Sequence, residues 1–372
     1  MDFSINKENR MIKESVRKYL GHKVNYTVVM DTMSGEAGYS KDIWEDMCEL
    51  GWTGLIYEEC YGGTNGNFFE LFTVFEEIGR VQLPSPLFCS GLVSALLIHE
   101  GGDESIKMST LPPLIRGETI YTSALMDEFG QYDYECPSLE ANLDNDVIVL
   151  NGARTMVPYA AIADEIIVCG NLVGKGPTLL RVDPRAAGVS TTPLETLSNE
   201  KRFKVDFMNA EICLDKIIGQ VGYGHDYIRS VLDKAIVCKC AEMLGGLEYI
   251  VDATVAYAKD RHQFGKPIGS LQAVQHHCAT MATYLEGSRM ITCQAASMLS
   301  EGKRCPKEIA MAKAYISQAY KASTWLSHQI YGGLGFTSEY PIHLYYKHAK
   351  VAELEFGSAW VHKQKVASLM GF

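Results

Sequence analysis

Residues 261–272 read RHQFGKPIGSLQ and join two long stretches whose apolar residues recur at helical spacing. Before them, VLDKAIVCKCAEMLGGLEYIVDATVAYAKD (231–260) is amphipathic throughout; after them, Leu271, Val274, Cys278, Met281 and Leu285 recur at i+3 and i+4. A third stretch of the same kind, PKEIAMAKAYISQAYKASTWLSHQIYGG, covers 306–333. Long helices with short connections predict an antiparallel bundle. The connection itself carries chemistry: Arg261 is a planar fork donor suited to a pyrophosphate, Phe264 an aromatic plane, and Gln272 a hydrogen-bonding head on the next helix's first turn. A second stretch, QIYGGLGF (329–336), ends a helix on Gly332, Gly333 and Gly335, where backbone N–H groups lie open to an anion. Either stretch alone reads as a helix stop and an ordinary loop. Both in one chain favour a surface that holds a nucleotide.

Outward from the bundle, the pattern changes twice. Residues 120–217 lack helical spacing; DVIVLNG, DEIIVCG, TLLRVDP and RFKVDFMNAEI are short β-branched runs bounded by Gly, Asn, Asp and Pro. Upstream the pattern is helical. SKDIWEDMCELGWTGL starts on a Ser cap, carries Ile43, Trp44, Met47 and Leu50 on one face and stops at Gly51, and FFELFTVFEEIGR repeats the plan, ending at its glycine. YEECYGGTNGN between them has no Lys-Ser/Thr after its glycines, so a plain turn is favoured over a phosphate loop. An α+β chain of three domains is expected: helical over 1–117, β over 118–218, an antiparallel helical bundle over 219–372.

The bulk composition narrows the function. The 372 residues are 47% hydrophobic with a formal charge of −11, which disfavours a nucleic-acid binder. No apolar run has the roughly 20 residues of a membrane span. MDFSINKENRMIKESVRKYL lacks the order of a secretion signal, and eleven cysteines without CxxC pairs read as reduced thiols, so a cytoplasmic location is expected. Cys238, Cys240, His276, His277 and Cys278 invite a metal reading, but buried thiols and surface histidines are the commoner explanation, and no metal is expected.

With this domain order, the two loop motifs, ELGWTGLIYEECYGG, FEEIGR and LNGARTMVPYAAIADEIIVCG resemble the acyl-CoA dehydrogenase family of flavoproteins over essentially the whole chain. The resemblance implies a helical N-terminal domain, a β middle domain and a C-terminal four-helix bundle, with an FAD at a dimer interface within a dimer of dimers. Arg261, Phe264 and Gln272, with Gln329, Gly332, Gly333 and Gly335, would hold a neighbouring subunit's FAD. It also implies an acyl-CoA substrate, an electron-transfer flavoprotein as acceptor, and a homotetramer or heterotetramer. Two departures concern the flavin's ring system. Met156, Val157 and Pro158 stand where the family has Trp-x-Thr, and MDEFGQYDY puts Asp127 where a Thr is expected, a charge that reduced flavin would oppose unless a cation compensates.

Acyl-CoA dehydrogenation requires a carboxylate to take the α-proton while the β-hydride leaves for the flavin, with hydrogen bonds to the thioester carbonyl acidifying that proton. The family's usual position for that acid falls on Phe356, and the alternative, on the first long bundle helix, falls on Ala235. Glu355 is the nearest substitute, although in a helix it would point roughly 100° away from Phe356; a slip of the turn would rescue it. Asp233 matches a family aspartate that touches the pantetheine arm, so substrate binding is its expected role, with proton abstraction the alternative. Glu353 is expected to be a solvated helix residue. An acid elsewhere, or none, stays open. Three functions follow: a dehydrogenase of a cyclic or branched acyl-CoA with its base moved, the incomplete partner subunit of a heteromeric dehydrogenase, or a flavin oxidase or monooxygenase. The first is favoured, and the pantetheine-side match counts against the third.

Overall fold

The computed structural model describes residues 7–132 and 137–372. Six α-helices come first: α1 (Lys7–Lys23), α2 (Tyr26–Ser34), α3 (Lys41–Glu49), α4 (Phe68–Val81), α5 (Ala95–Gly101) and α6 (Glu104–Ile115). Ser40 caps α3 by accepting from the Ile43 N–H, and Ile43, Trp44 and Met47 are buried as their spacing predicts. Leu50 departs from that prediction. It is the C-cap rather than a helical residue, and it is 50% exposed because the apolar face ends before it. The other departure is in α4. A capping box between Asn67 and Glu70 starts it, but it does not stop at Gly79; it runs to Val81 and closes on Gln82 at φ 56°.

The β region is one sheet: β1 (Tyr121–Ala124), β2 (Met126–Asp127), β3 (Glu140–Asp144), β4 (Val147–Pro158), β5 (Glu165–Leu172), β6 (Gly176–Val182), β7 (Val189–Leu194), β8 (Arg202–Cys213) and β9 (Ile217–Ile218). Its order is β7-β8-β4-β3-β5-β6-β9, with β1 parallel to β5 and β2 antiparallel to β4. Inward positions of the alternating runs, among them Ile148, Leu150, Ile166, Val168, Leu180, Val205 and Phe207, form one apolar core. A register shift between Arg154 and Val157 in the β4–β8 pairing leaves Met156 at φ 55°. That bulge falls in the stretch that departs from the family pattern.

The C-terminal region is helical: α7 (Gly224–Asp260), α8 (Gln272–Ser300), α9 (Pro306–Tyr331), α10 (Ile342–Leu354) and α11 (Ala359–Leu369), with a hairpin of β10 (His262–Gln263) and β11 (Lys266–Pro267) between α7 and α8. By contact density the chain forms two compact units. One holds the segment up to Val29, Asn67–Leu83 and Ile236–Phe372; the other holds Met30–Gly66 and Pro84–Ala235. In the first unit α4 crosses α7 backbone to backbone. A Cβ on Gly79 would sit 2.0 Å from the Glu242 carbonyl oxygen, and one on Gly245 would sit 1.7 Å from that of Glu76. This crossing accounts for Gly79 lying inside α4. Around it the buried carboxylates of Glu76 and Glu77 pair with Lys13, Arg17 and Arg289. Among the described residues no helix is long and apolar enough to cross a membrane.

Candidate cofactor and proton-transfer site

The two loop motifs come together in the first unit. After α7 the chain turns through Phe264 and Gly265, at φ 55° and 77°, and these consecutive left-handed residues close the β10–β11 hairpin. Phe264 stands at its tip, 89% exposed. Arg261 and Gln272 are exposed on either side of the hairpin, and Gln329 is exposed in the last turn of α9. Ile268 packs with Ala258 of α7 and Ile330 of α9, and Tyr257, Leu271, Val274 and Cys278 surround them. Tyr257 also stacks on Tyr331, and Tyr340 sets its edge against both. The Tyr331 hydroxyl donates to the Ala253 carbonyl at 3.1 Å.

The three glycines after Tyr331 serve different ends. Gly332 is left-handed at φ 61° and closes α9, its N–H donating to His328. A Cβ on Gly332 or Gly333 would meet nothing within 4 Å, so their backbone lies open. Gly335 is buried instead, where a Cβ would lie 3.2 Å from that of Tyr331, so its glycine is a packing requirement. An exposed guanidinium, an aromatic tip, two carboxamides and uncovered backbone on one rigid footing fit a nucleotide's pyrophosphate and polar edges. These residues suit FAD.

The stretches that depart from the family lie in the second unit. Asp127 Oδ1 accepts the N–H groups of Phe129 (3.0 Å) and Gln131 (2.7 Å), so its carboxylate, 6% exposed, caps its own turn. The carboxylate expected beside a flavin is thereby engaged by its own backbone. Residues 133 and 134 of MDEFGQYDY lie outside the described residues. Pro158 contributes its carbonyl to the Thr122 hydroxyl at 2.6 Å, and the Met156 carbonyl accepts from Arg202 at 3.4 Å. Asp233 is half-buried on α7, and Ala235 is fully buried.

The acid segment differs from its helical expectation. α10 ends at Leu354, Glu355 is extended (φ −61°, ψ 134°), and Phe356 and Gly357 are left-handed at φ 57° and 99°. Helical divergence therefore does not separate the Glu355 and Phe356 side chains. Glu355 Oε2 lies 3.1 Å from Lys239 Nζ, which also reaches Glu242 Oε2 at 2.5 Å. Lys313, fully buried on α9, donates to the Ala352 and Glu353 carbonyls at the end of α10, and burial pulls its ammonium down to about 8. His362 Nε2 lies 2.9 Å from the Phe356 carbonyl, and burial pushes its imidazole down to about 4. Glu353 is not solvated as its helix position implied. It is 7% exposed, and against the upward pull of burial, hydrogen bonds from Lys321 and Lys350 hold its carboxyl below the usual range. Lys239 and Lys313 escaped the sequence reading. Their signal was a lone cation inside an apolar run, IVCKCAEML and IAMAKAYI.

Residues 6–118 match the family model of the acyl-CoA dehydrogenase N-terminal domain, and residues 222–370 that of the C-terminal domain. The mitochondrial short/branched chain specific acyl-CoA dehydrogenase of Bos taurus is 29% identical over 370 residues, covering 97% of this chain and 85% of the relative. The caffeyl-CoA reductase-Etf complex subunit CarC of Acetobacterium woodii is 25% identical, covering 98% of each chain. The glutaryl-coenzyme A dehydrogenase structure in complex with glutaryl-CoA superposes with a TM-score of 0.93 at 27% identity, covering 99% of this chain and 96% of that one. Helical, β and helical regions in that order, carrying both loop motifs, make this chain an acyl-CoA dehydrogenase-type oxidoreductase, and it belongs to the acyl-CoA dehydrogenase family, whose members depend on FAD.

Proposed function

We propose that this protein dehydrogenates a branched or cyclic acyl-CoA thioester with FAD, using Glu355 to take the α-proton and Asp233 to contact the pantetheine arm. The observation that carries the reading is the joined footing of the two loops, with Tyr257 stacked on Tyr331 and with Arg261, Phe264, Gln272 and Gln329 exposed. The chemistry FAD supplies when bound is acceptance of the β-hydride. Arg261 and the open backbone at Gly332 and Gly333 hold the pyrophosphate. The extended conformation of Glu355 supports its role, because it frees the side chain from helical geometry. A branched substrate accords with the short/branched chain enzyme among the relatives, and an electron-transfer flavoprotein as acceptor with the Etf-complex subunit. Flavin-holding residues of one subunit serve its neighbour in a homotetramer or heterotetramer.

The second reading, a partner subunit that completes a dimer without doing the chemistry, draws on Ala235 and Phe356 at the two positions where an acid is expected. One preparation separates them. FAD per chain is measured, then bleaching of the flavin band by straight, branched and cyclic acyl-CoAs. Bleaching by the isolated chain supports the dehydrogenase; a full FAD complement that no acyl-CoA bleaches favours the partner subunit.

A further inference from the structure

Two carboxylates close on one ammonium at the end of α10. Lys239, Glu242 and Glu355 have side chains only 8%, 11% and 14% exposed. Lys239 and Glu242 are an i,i+3 pair on α7, and Ala235 lies one turn before Lys239 on the same face. Lys239 thus stands a turn from one position where an acid is expected, and its partner Glu355 directly precedes the other, Phe356.

We propose that Lys239 is a positioning residue for the dehydrogenation: it anchors the Glu355 carboxylate against α7 and keeps it ionised beside Glu242. This rests on the reading of Glu355 as proton acceptor. Two carboxylates in a nearly dry site cannot both stay charged without a cation between them, and one would take up a proton. Other titratable groups stand around this cluster. Lys313, on α9, also acts on Glu355 through its charge, while its Nζ donates to the Ala352 and Glu353 carbonyls. Of the α10 groups, Glu353 is held by Lys321 and Lys350, and His348 lies 4.0 Å from Glu242. His362, on α11, is engaged by the Phe356 carbonyl, and burial pushes the Cys240 thiol up to about 12, keeping it neutral.

The ionisation of Glu355 is read from the carboxylic-acid carbonyl band in infrared pH-difference spectra of the holoprotein, assigned as the band lost in Glu355→Gln. In Lys239→Met the protonation midpoint should rise by at least one pH unit, and the acid limb of kcat/KM should rise with it. Lys239→Arg, which keeps the charge, should leave both near wild type. An unmoved midpoint in Lys239→Met overturns the proposal. Should Lys239→Met fail to fold, Glu242→Gln takes its place: removing the competing carboxylate should lower the midpoint, and no change overturns the proposal equally. A midpoint that moves while the kcat/KM limb stays fixed removes Lys239 from the reaction. Wild-type turnover by Glu355→Gln overturns the base reading itself, an outcome distinct from an unmoved band.

Discussion

Tyr257 and Tyr331 lie face to face, ring centroids 4.0 Å apart and planes 14° from parallel. One ring leaves α7 just before the Arg261 hairpin, and the other is the last residue of α9, next to Gly332. The stack therefore sets the spacing of the two loops that would grip FAD. Tyr257→Leu keeps apolar bulk but loses the stacking geometry, worth about 0.5–1.5 kcal/mol. The expected result is an intact fold by circular dichroism with FAD affinity weakened several-fold. It is measured by flavin fluorescence on dilution, and undiminished retention would uncouple the stack from the cofactor.

Arg261 follows the last residue of α7, its side chain exposed. Arg261→Ala should leave the thermal midpoint of the FAD-free protein unchanged and weaken FAD binding by about 1.5–3 kcal/mol, the range for a hydrogen bond to a charged group. Arg261→Lys should recover only part of this, because a point charge lacks the guanidinium fork. Since the residue is assigned to a neighbour's FAD, sedimentation of Arg261→Ala should also reveal a weaker dimer. Unchanged FAD affinity and dimerisation together would remove Arg261 from the site.

Glycines in α7 and after α9 should respond in opposite ways. Gly245→Ala drives a methyl to 1.7 Å from the Glu76 carbonyl oxygen, so α4 and α7 must move apart across the buried Glu76 and Glu77 pairs. A loss of at least about 1–3 kcal/mol is expected from this overpacking. Gly333→Ala meets nothing within 4 Å and should leave stability intact, while its methyl intrudes where a phosphate would approach and lowers FAD affinity. Urea denaturation and FAD titration of both variants check the pair. Equal effects on both properties would contradict the division of roles.

The features legible from sequence were those written in local pattern. Ser40 marks the start of α3, alternation marks the sheet, and the stripe from Leu271 to Leu285 leads into the buried positions Met281 and Leu285 of α8. The misses came from tertiary contact. Gly79 looked like a stop and proved to be a crossing, because a glycine's open side is filled by whichever helix passes it. Glu353 looked solvated because its partner Lys321 lies on another helix, far away in sequence. The turn at Glu355 and Phe356 was hidden for the same reason: Lys239, Lys313 and His362 hold it from three different helices.

His362 supplies a pH test of that turn. Its imidazole is 2% exposed, and Nδ1 has no partner among the described residues. Burial lowers it from the ordinary 6.5 to about 4. The sign follows from proton counting: between these values the unfolded chain binds a proton that the folded chain refuses. Stability from this group is therefore fully present above pH 6.5 and falls as the pH drops to about 4, by at most about 3 kcal/mol. Lys313 titrates near 8 and does not enter this window. His362→Gln keeps an N–H donor for the Phe356 carbonyl but has nothing to titrate. Its unfolding free energy should lie below wild type at pH 7.5, where a buried ring is lost, and the gap should close as the pH falls from 6.5 to 4. Carboxylates titrating in that range contribute equally to both proteins and cancel in the difference. Parallel curves for the two proteins across the window would mean that the folded imidazole titrates as it does in the unfolded chain, and that burial at the Phe356 turn does not keep it neutral.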